Sequence, residues 1–136
     1  MGWFTLMCDT SAWSTQQHDS ARRQIEIYKN WIRPLINLGD LYHISARPDE
    51  ARWDGMEYLD PNTGKGVVFA FRGAKAVETS HVFRFEGLNR KASYEVWSED
   101  GFLPHRLTMG AKLMDEGLRV QLSDSGASEL IYLQAQ

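Results

Sequence analysis

The sequence predicts a mainly β protein, an antiparallel β-sandwich preceded by one long amphipathic α-helix. Three observations carry that expectation. Apolar residues recur at helical spacing between Ala21 and Ile36, the mark of a helix with one wide buried side. Beyond Gly39 the chain changes to short stretches rich in Val, Phe, Tyr, Leu and Ile, often alternating, as strands do. Turn-forming clusters such as "RPDE", "DPNTGKG", "GLNRK", "EDG" and "SDSGA" separate those stretches, each rich in residues that close turns.

Taken in order, "GWFTLMCD" (residues 2–9) is apolar almost throughout, like a strand buried on both faces. Then comes "TSAWSTQQHDS", where Ser14 and Gln17 have capping-box spacing and Asp19 offers a second helix start. The helix is expected over about residues 15–38. Its stripe is Ala21, Ile25, Tyr28, Ile32, Leu35 and Ile36, with Ile27 and Trp31 beside it to widen the buried sector. Pro34 lacks a backbone donor and should bend or end the helix. Gly39 is placed to close it with a positive φ. A strand, a loop and a long helix make a β–α unit, which belongs to a parallel sheet or barrel. Nothing else in the chain supplies one, so residues 1–38 and 39–136 are expected to belong to different domains.

The strand candidates after Gly39 are "LYHIS", "WDGMEYLD", "GVVFAFRG", "SHVFRFEGL", "ASYEVWSE", "LRVQLS" and "SELIYLQA". About seven or eight strands at this spacing suggest an antiparallel sandwich. Alternation in "VVFAF" leads us to expect Val67, Phe69 and Phe71 in the sandwich core, with Val68 and Ala70 on the other face.

Composition excludes several function classes. Hydrophobic residues are 43% and charged residues 24% of 136, typical of one globular domain with a core of its own. A net charge of −3, with only Arg22-Arg23 and Arg90-Lys91 adjacent, gives no field for nucleic acid or an anionic membrane. Cys8 is the one cysteine, so neither an internal disulfide nor a multi-cysteine zinc site can form, and a small buried hydrophobe is expected there. The four histidines (His18, His43, His81 and His105) show no metal-binding spacing. No metal and no cofactor are expected. No stretch approaches the roughly 20 apolar residues of a membrane span, and no signal-peptide pattern opens the chain. A cytoplasmic location is the expectation.

Few residues invite chemistry. Gly64 and Gly66 in "NTGKG" precede a strand, not the helix that a phosphate loop needs. No G-x-S-x-G turn occurs. Asp49-Glu50, Glu99-Asp100 and Asp115-Glu116 sit in turns, where solvated acids are expected. Five tryptophans raise sugar stacking, for which Trp53, Tyr58 and Trp97 are the best candidates and Trp13 a weaker one. The opposing reading is that Trp and Tyr are mostly buried with one polar atom wet.

"RRQIEIYKNWIRPLINLGDLYHI…RPD…WDGMEYLDPNTGKGVVFAFRG", followed by "GLNRKASYEVWSEDG", "MGAKLMDEGLRVQL" and "ASELIYL", resembles the end of the barrel and the C-terminal domain of α-galactosidase-like glycoside hydrolases, family 36 and its neighbours. The matching positions are Tyr28-Lys29, Arg33, Gly39, Leu41 and Tyr42, then Gly110, Ala111, Leu113, Gly117, Leu118, Val120, Leu122 and Ser128. The resemblance implies that the helix is the last of a (β/α)₈ barrel and residues 2–9 its last strand, in a fragment of a larger enzyme. It implies cleavage of terminal α-linked galactose or a related sugar without a cofactor. The two catalytic aspartates would lie on earlier barrel strands, so Asp9 is a bystander and a catalytic residue is not expected here. The implied role is a non-catalytic domain that packs on and stabilises the barrel of its own polypeptide. The rivals are a stand-alone carbohydrate-binding module and a protein that only mediates association. Without a barrel, the helix stripe should be hidden by self-association, which Ile32→Asp would weaken, or by residues 2–9 folding over it.

Overall fold

A computed structural model of the chain describes residues 9–136. The expected strand over residues 2–9 and the expected burial of Cys8 therefore fall outside the described residues, Asp9 excepted.

Helix α1 (Thr15–Ile27) starts at the predicted capping box. The Ser14 hydroxyl accepts from the Gln17 N–H, and the Gln17 side chain accepts from the Ser14 N–H. The helical run continues through a π-helical turn (Tyr28–Ile32) into α2 (Arg33–Leu38). Within the π turn the Arg33 N–H reaches back five residues to the Tyr28 carbonyl. That wider turn inserts a residue and rotates everything after it relative to an ideal α-helix. As a result Ile27 and Leu35 are buried against the sheet, with Trp31, Ile32 and Ile36 packed beside them. Ile27 is thus one of the two buried residues of the sheet-facing side and Trp31, half-buried, packs beside it, where α-helical spacing puts both beside the stripe. Pro34 falls in the first turn of α2, directly after the π turn, and does not end the helical run.

Gly39 ends the helix, but not through a positive φ: it is extended, at φ −93° and ψ 160°. Its need for glycine is one of space. A Cβ there would meet the Leu35 carbonyl oxygen at 2.7 Å and that of Leu59 at 3.0 Å.

The strands are β1 (Asp40–His43), β2 (Trp53–Asp60), β3 (Lys65–Arg72), β4 (Ser80–Phe83), β5 (Ser93–Ser98), β6 (Arg106–Met109), β7 (Leu118–Gln121) and β8 (Ser128–Ala135). One antiparallel sheet runs β1-β2-β3-β8-β5-β6, and β4 and β7 pair as a second, smaller layer. Strand β6 and the short helix α3 (Gly110–Asp115) were not expected from the sequence. "RLTM" is short and open to solvent, and α3 is a six-residue turn between strands. No second long helix follows Trp53.

The large sheet is buried on both sides. Val68, Ala70, Phe83, Tyr94, Leu113 and Leu133 belong to the core between the two sheets. Val67, Phe69, Tyr58 and Tyr132 lie under the helix, with Phe71 beside them. This reverses the expected assignment of β3: Val68 and Ala70 enter the inter-sheet core, and Val67, Phe69 and Phe71 meet the helix. Alternation separates two faces, but with both faces covered it does not say which neighbour each one meets.

Candidate functional site

The most elaborate arrangement of side chains is the joint between the helix and the large sheet. From α1, the Arg23 guanidinium donates from Nε to Glu99 Oε1 at 2.8 Å and from Nη2 to the Glu99 carbonyl at 3.1 Å. The second oxygen of the same carboxylate, Oε2, accepts from the Tyr132 hydroxyl at 2.6 Å. Burial, together with that bond to an anion, pushes the Tyr132 phenol far up. Glu99 thereby ties α1, the end of β5 and the middle of β8 together. Its side chain keeps only 15% exposure, so it is not the solvated turn acid that its neighbours in sequence suggest.

Below this clasp lies an aromatic cluster. Cross-strand pairing sets Trp97 beside Tyr132, with ring centroids 5.3 Å apart and an interplanar angle of 28°. His105 stacks on Trp97 from the β6 side, 4.9 Å away and nearly parallel at 7°, and its Nδ1 lies 2.7 Å from Glu95 Oε1. From the helix, Trp31 stands edge-on to Trp97 at 5.4 Å and 80°, an arrangement that the ring quadrupoles favour. Lys65 places its ammonium 4.9 Å from the Trp31 centroid.

The sugar-stacking candidates do not share one surface. Trp53 is 4% exposed in the inter-sheet core, and its indole N–H donates to the Glu78 carbonyl at 3.1 Å. Tyr58, five residues along β2 and so on the opposite face, is 5% exposed under the helix. Trp97 sits within the joint just described. Beside Trp53 there is a cleft of about 340 Å³ lined by Ser45, Ala46, Ala51, Arg52, Trp53, Glu78 and His81. The His81 ring stacks on Trp53 at 5.9 Å, and burial lowers its proton affinity.

The remaining acids are structural in their contacts. Asp9 is exposed and accepts from the Ser11 N–H at 2.8 Å; that bond holds its carboxyl below the usual range. Asp115 takes a two-pronged contact from Arg90 at 3.0 and 2.6 Å, and Glu50 pairs with Lys75. Among the described residues no group of three His, Cys, Asp or Glu is placed to hold a metal ion. No described helix is long and apolar enough to cross a membrane.

Sequence reasoning missed Glu99 and Glu57. Glu99 carries no local signal, because its partners are 76 and 33 residues away. Glu57 does carry one. It alternates with Trp53, Gly55 and Leu59 along β2, which places a carboxylate on an inward-facing row.

Against known proteins, the profile of the Glycosyl hydrolase family 36 C-terminal domain matches residues 53–133. The chain belongs to that family. It is 31% identical over 122 residues to "Probable alpha-galactosidase G" of Emericella nidulans, covering 87% of this chain and 16% of that protein. Its fold is similar to that of the family 36 α-galactosidase AgaA of Geobacillus stearothermophilus, solved in complex with raffinose. The TM-score is 0.77, the identity 21%, and the coverage 94% of this chain and 17% of that one. The α-galactosidase of Lactobacillus brevis gives a TM-score of 0.75 at 17% identity, covering 94% of this chain and 18% of its own. This family 36 domain therefore spans between 16% and 18% of the length of these larger relatives. The profile begins at Trp53, whereas the structural likeness takes in 94% of the chain, which requires part of the helix as well as the sandwich.

Proposed function

We propose that this chain is a non-catalytic part of an α-galactosidase-like glycoside hydrolase, whose sandwich packs on and stabilises the catalytic barrel of the same polypeptide. Residues 1–38 then belong with the barrel and residues 39–136 form the accessory sandwich. The observation that carries the reading is the joint. A helix that ends a barrel is fixed to the sandwich by the Glu99 clasp and by the Trp31, Trp97 and Tyr132 cluster. Whatever holds that helix holds the barrel wall to which it belongs. The relatives' names support the parent reaction, hydrolysis of α-linked galactose, and their lengths leave ample chain for a barrel.

Retaining hydrolysis needs two carboxyl groups about 5 Å apart across the scissile bond, held in a pocket that positions the sugar. Asp9, exposed and engaged by Ser11, does not supply such a pair. The purified chain is therefore expected neither to turn over a chromogenic aryl α-galactoside nor to bind galactose at millimolar concentration, read by tryptophan fluorescence. Turnover abolished by Asp9→Asn overturns the reading. Saturable binding lost in Trp97→Ala replaces it with the carbohydrate-binding module.

A further inference from the structure

Glu57 lies in the middle of β2 with 0% exposure, yet nothing in the joint or the proposed function uses it. Its side chain points toward the inter-sheet core. Oε2 accepts from the Glu86 N–H at 2.8 Å, in the stretch that follows β4. Oε1 has no hydrogen-bond partner. A carboxylate in that position keeps one charge-bearing oxygen out of water with nothing to compensate it, whereas a neutral carboxyl does not.

The surroundings make the charge harder to keep. Across β1, Tyr42 is the register partner of Glu57. Its phenol is pushed up by burial first, then by the charges of Asp40, Glu57 and Glu86. Across β3 the partner is Val68, which carries no charge. From the stretch after β4, Glu86 adds a further acid. No basic side chain among the described residues acts on Glu57. The stretch it holds is closely fitted: Gly87, at φ +68°, has no room for a Cβ against the Tyr42 ring, and Phe85 and Leu88 are buried on either side.

We propose that Glu57 is a proton-operated latch, holding the stretch 84–88 and with it the β4–β7 layer onto the large sheet while protonated, and releasing that stretch when it ionises. Release follows because the anion can regain water only if the stretch above it lifts. The Glu86 N–H favours the anion, but that is one bond against the lost hydration of two oxygens, and burial is the larger effect. It raises the Glu57 carboxyl from 4.5 to about 8. The folded chain therefore keeps a proton that the unfolded chain has already lost, so stability falls as pH rises from about 4.5 and levels off above about 8.

The test uses the 136-residue chain and its Glu57→Gln variant, which keeps the shape and the acceptor but cannot ionise. The unfolding equilibrium constant of the unmodified chain, relative to the variant, should rise about tenfold per pH unit within that window. Parallel profiles overturn the proposal. Amide exchange at Glu86, corrected for its intrinsic base dependence, should accelerate about tenfold per pH unit between about 4.5 and 8 and level off above that, in the unmodified chain only. Protection that stays constant through the titration overturns the latch even if the carboxyl titrates high. Should Glu57→Gln fail to fold, carbon NMR of the Glu57 carboxyl in the unmodified chain decides, with exchange at Leu133, in β8 of the large sheet, as internal reference. A midpoint near the ordinary glutamate value overturns the proposal.

Discussion

The two faces of the six-stranded sheet are built differently, although both are covered. The face toward β4 and β7 has a sealed centre: Val68, Ala70, Phe83, Val96, Leu113 and Leu133 are each 0% exposed. The face toward the helix is aromatic and leaky at its margins. Trp31, Ile32, Ile36, Phe71, Trp97 and Leu130 are only partly buried there, and a charged clasp closes one end. A sealed core makes a fold, whereas a half-wet aromatic layer with a polar rim has the anatomy of an interface. Within one small chain the helix is thus held as a partner is held.

The contrast can be broken by comparing losses on the two faces. Phe83→Ala should cost about 3–5 kcal/mol, the range for emptying a sealed aromatic site, measured by chemical denaturation. Trp31→Ala removes a larger ring but should cost less, about 2 kcal/mol, because part of its surface is already wet. Equal losses would show that the helix face is as much a core as the other.

A smaller effect sharpens the clasp. Tyr132→Phe keeps the ring and removes the donor to Glu99, so about 1.5 kcal/mol should go, the low end for hydrogen bonds to charged groups. The loss should appear together with faster amide exchange around Arg23. If α1 exchanges as before, Glu99 does not tie the helix down. The smallest change expected is in Lys65→Met, which removes the ammonium beside Trp31. About 0.5 kcal/mol or less should be lost, as for an exposed cation–π contact, and salt should erase the difference in melting temperature.

Much of this was legible in the sequence. Ser14 and Gln17 marked the helix start because a capping box is local, and β2, β3, β5 and β8 announced themselves through apolar content. What stayed hidden depended on partners distant in sequence. The π turn at Tyr28–Ile32 shifted the helix phase, so counting by 3.6 put Ile27 and Trp31 off-centre. β3 alternates plainly, but Val68 and Val67 are equally apolar, and only the layers above and below tell them apart. Strand β6 carries Leu107 at 66% exposure, so its pattern lacks the buried row that betrays a strand. Glu99 reads like any turn acid until Arg23 and Tyr132 are brought to it.

Gly39 has a mechanical consequence. Helix α2 stops at Leu38 and β1 starts at Asp40, so a single residue joins them. Its N–H is bonded to the Leu35 carbonyl at 2.8 Å, and a Cβ there would run into the backbone of Leu59 in the neighbouring strand. There is no slack in which a hinge could work. The helical run and the edge of the sheet are thus coupled through one tightly fitted residue, and β1 is in turn paired with β2 along its length. On the function proposed above, a barrel wall attached to this helix would turn the sandwich with it. Inserting a few Gly-Ser residues after Leu38 would cut that transmission, leaving the capping box, the clasp and both cores with every residue they have now.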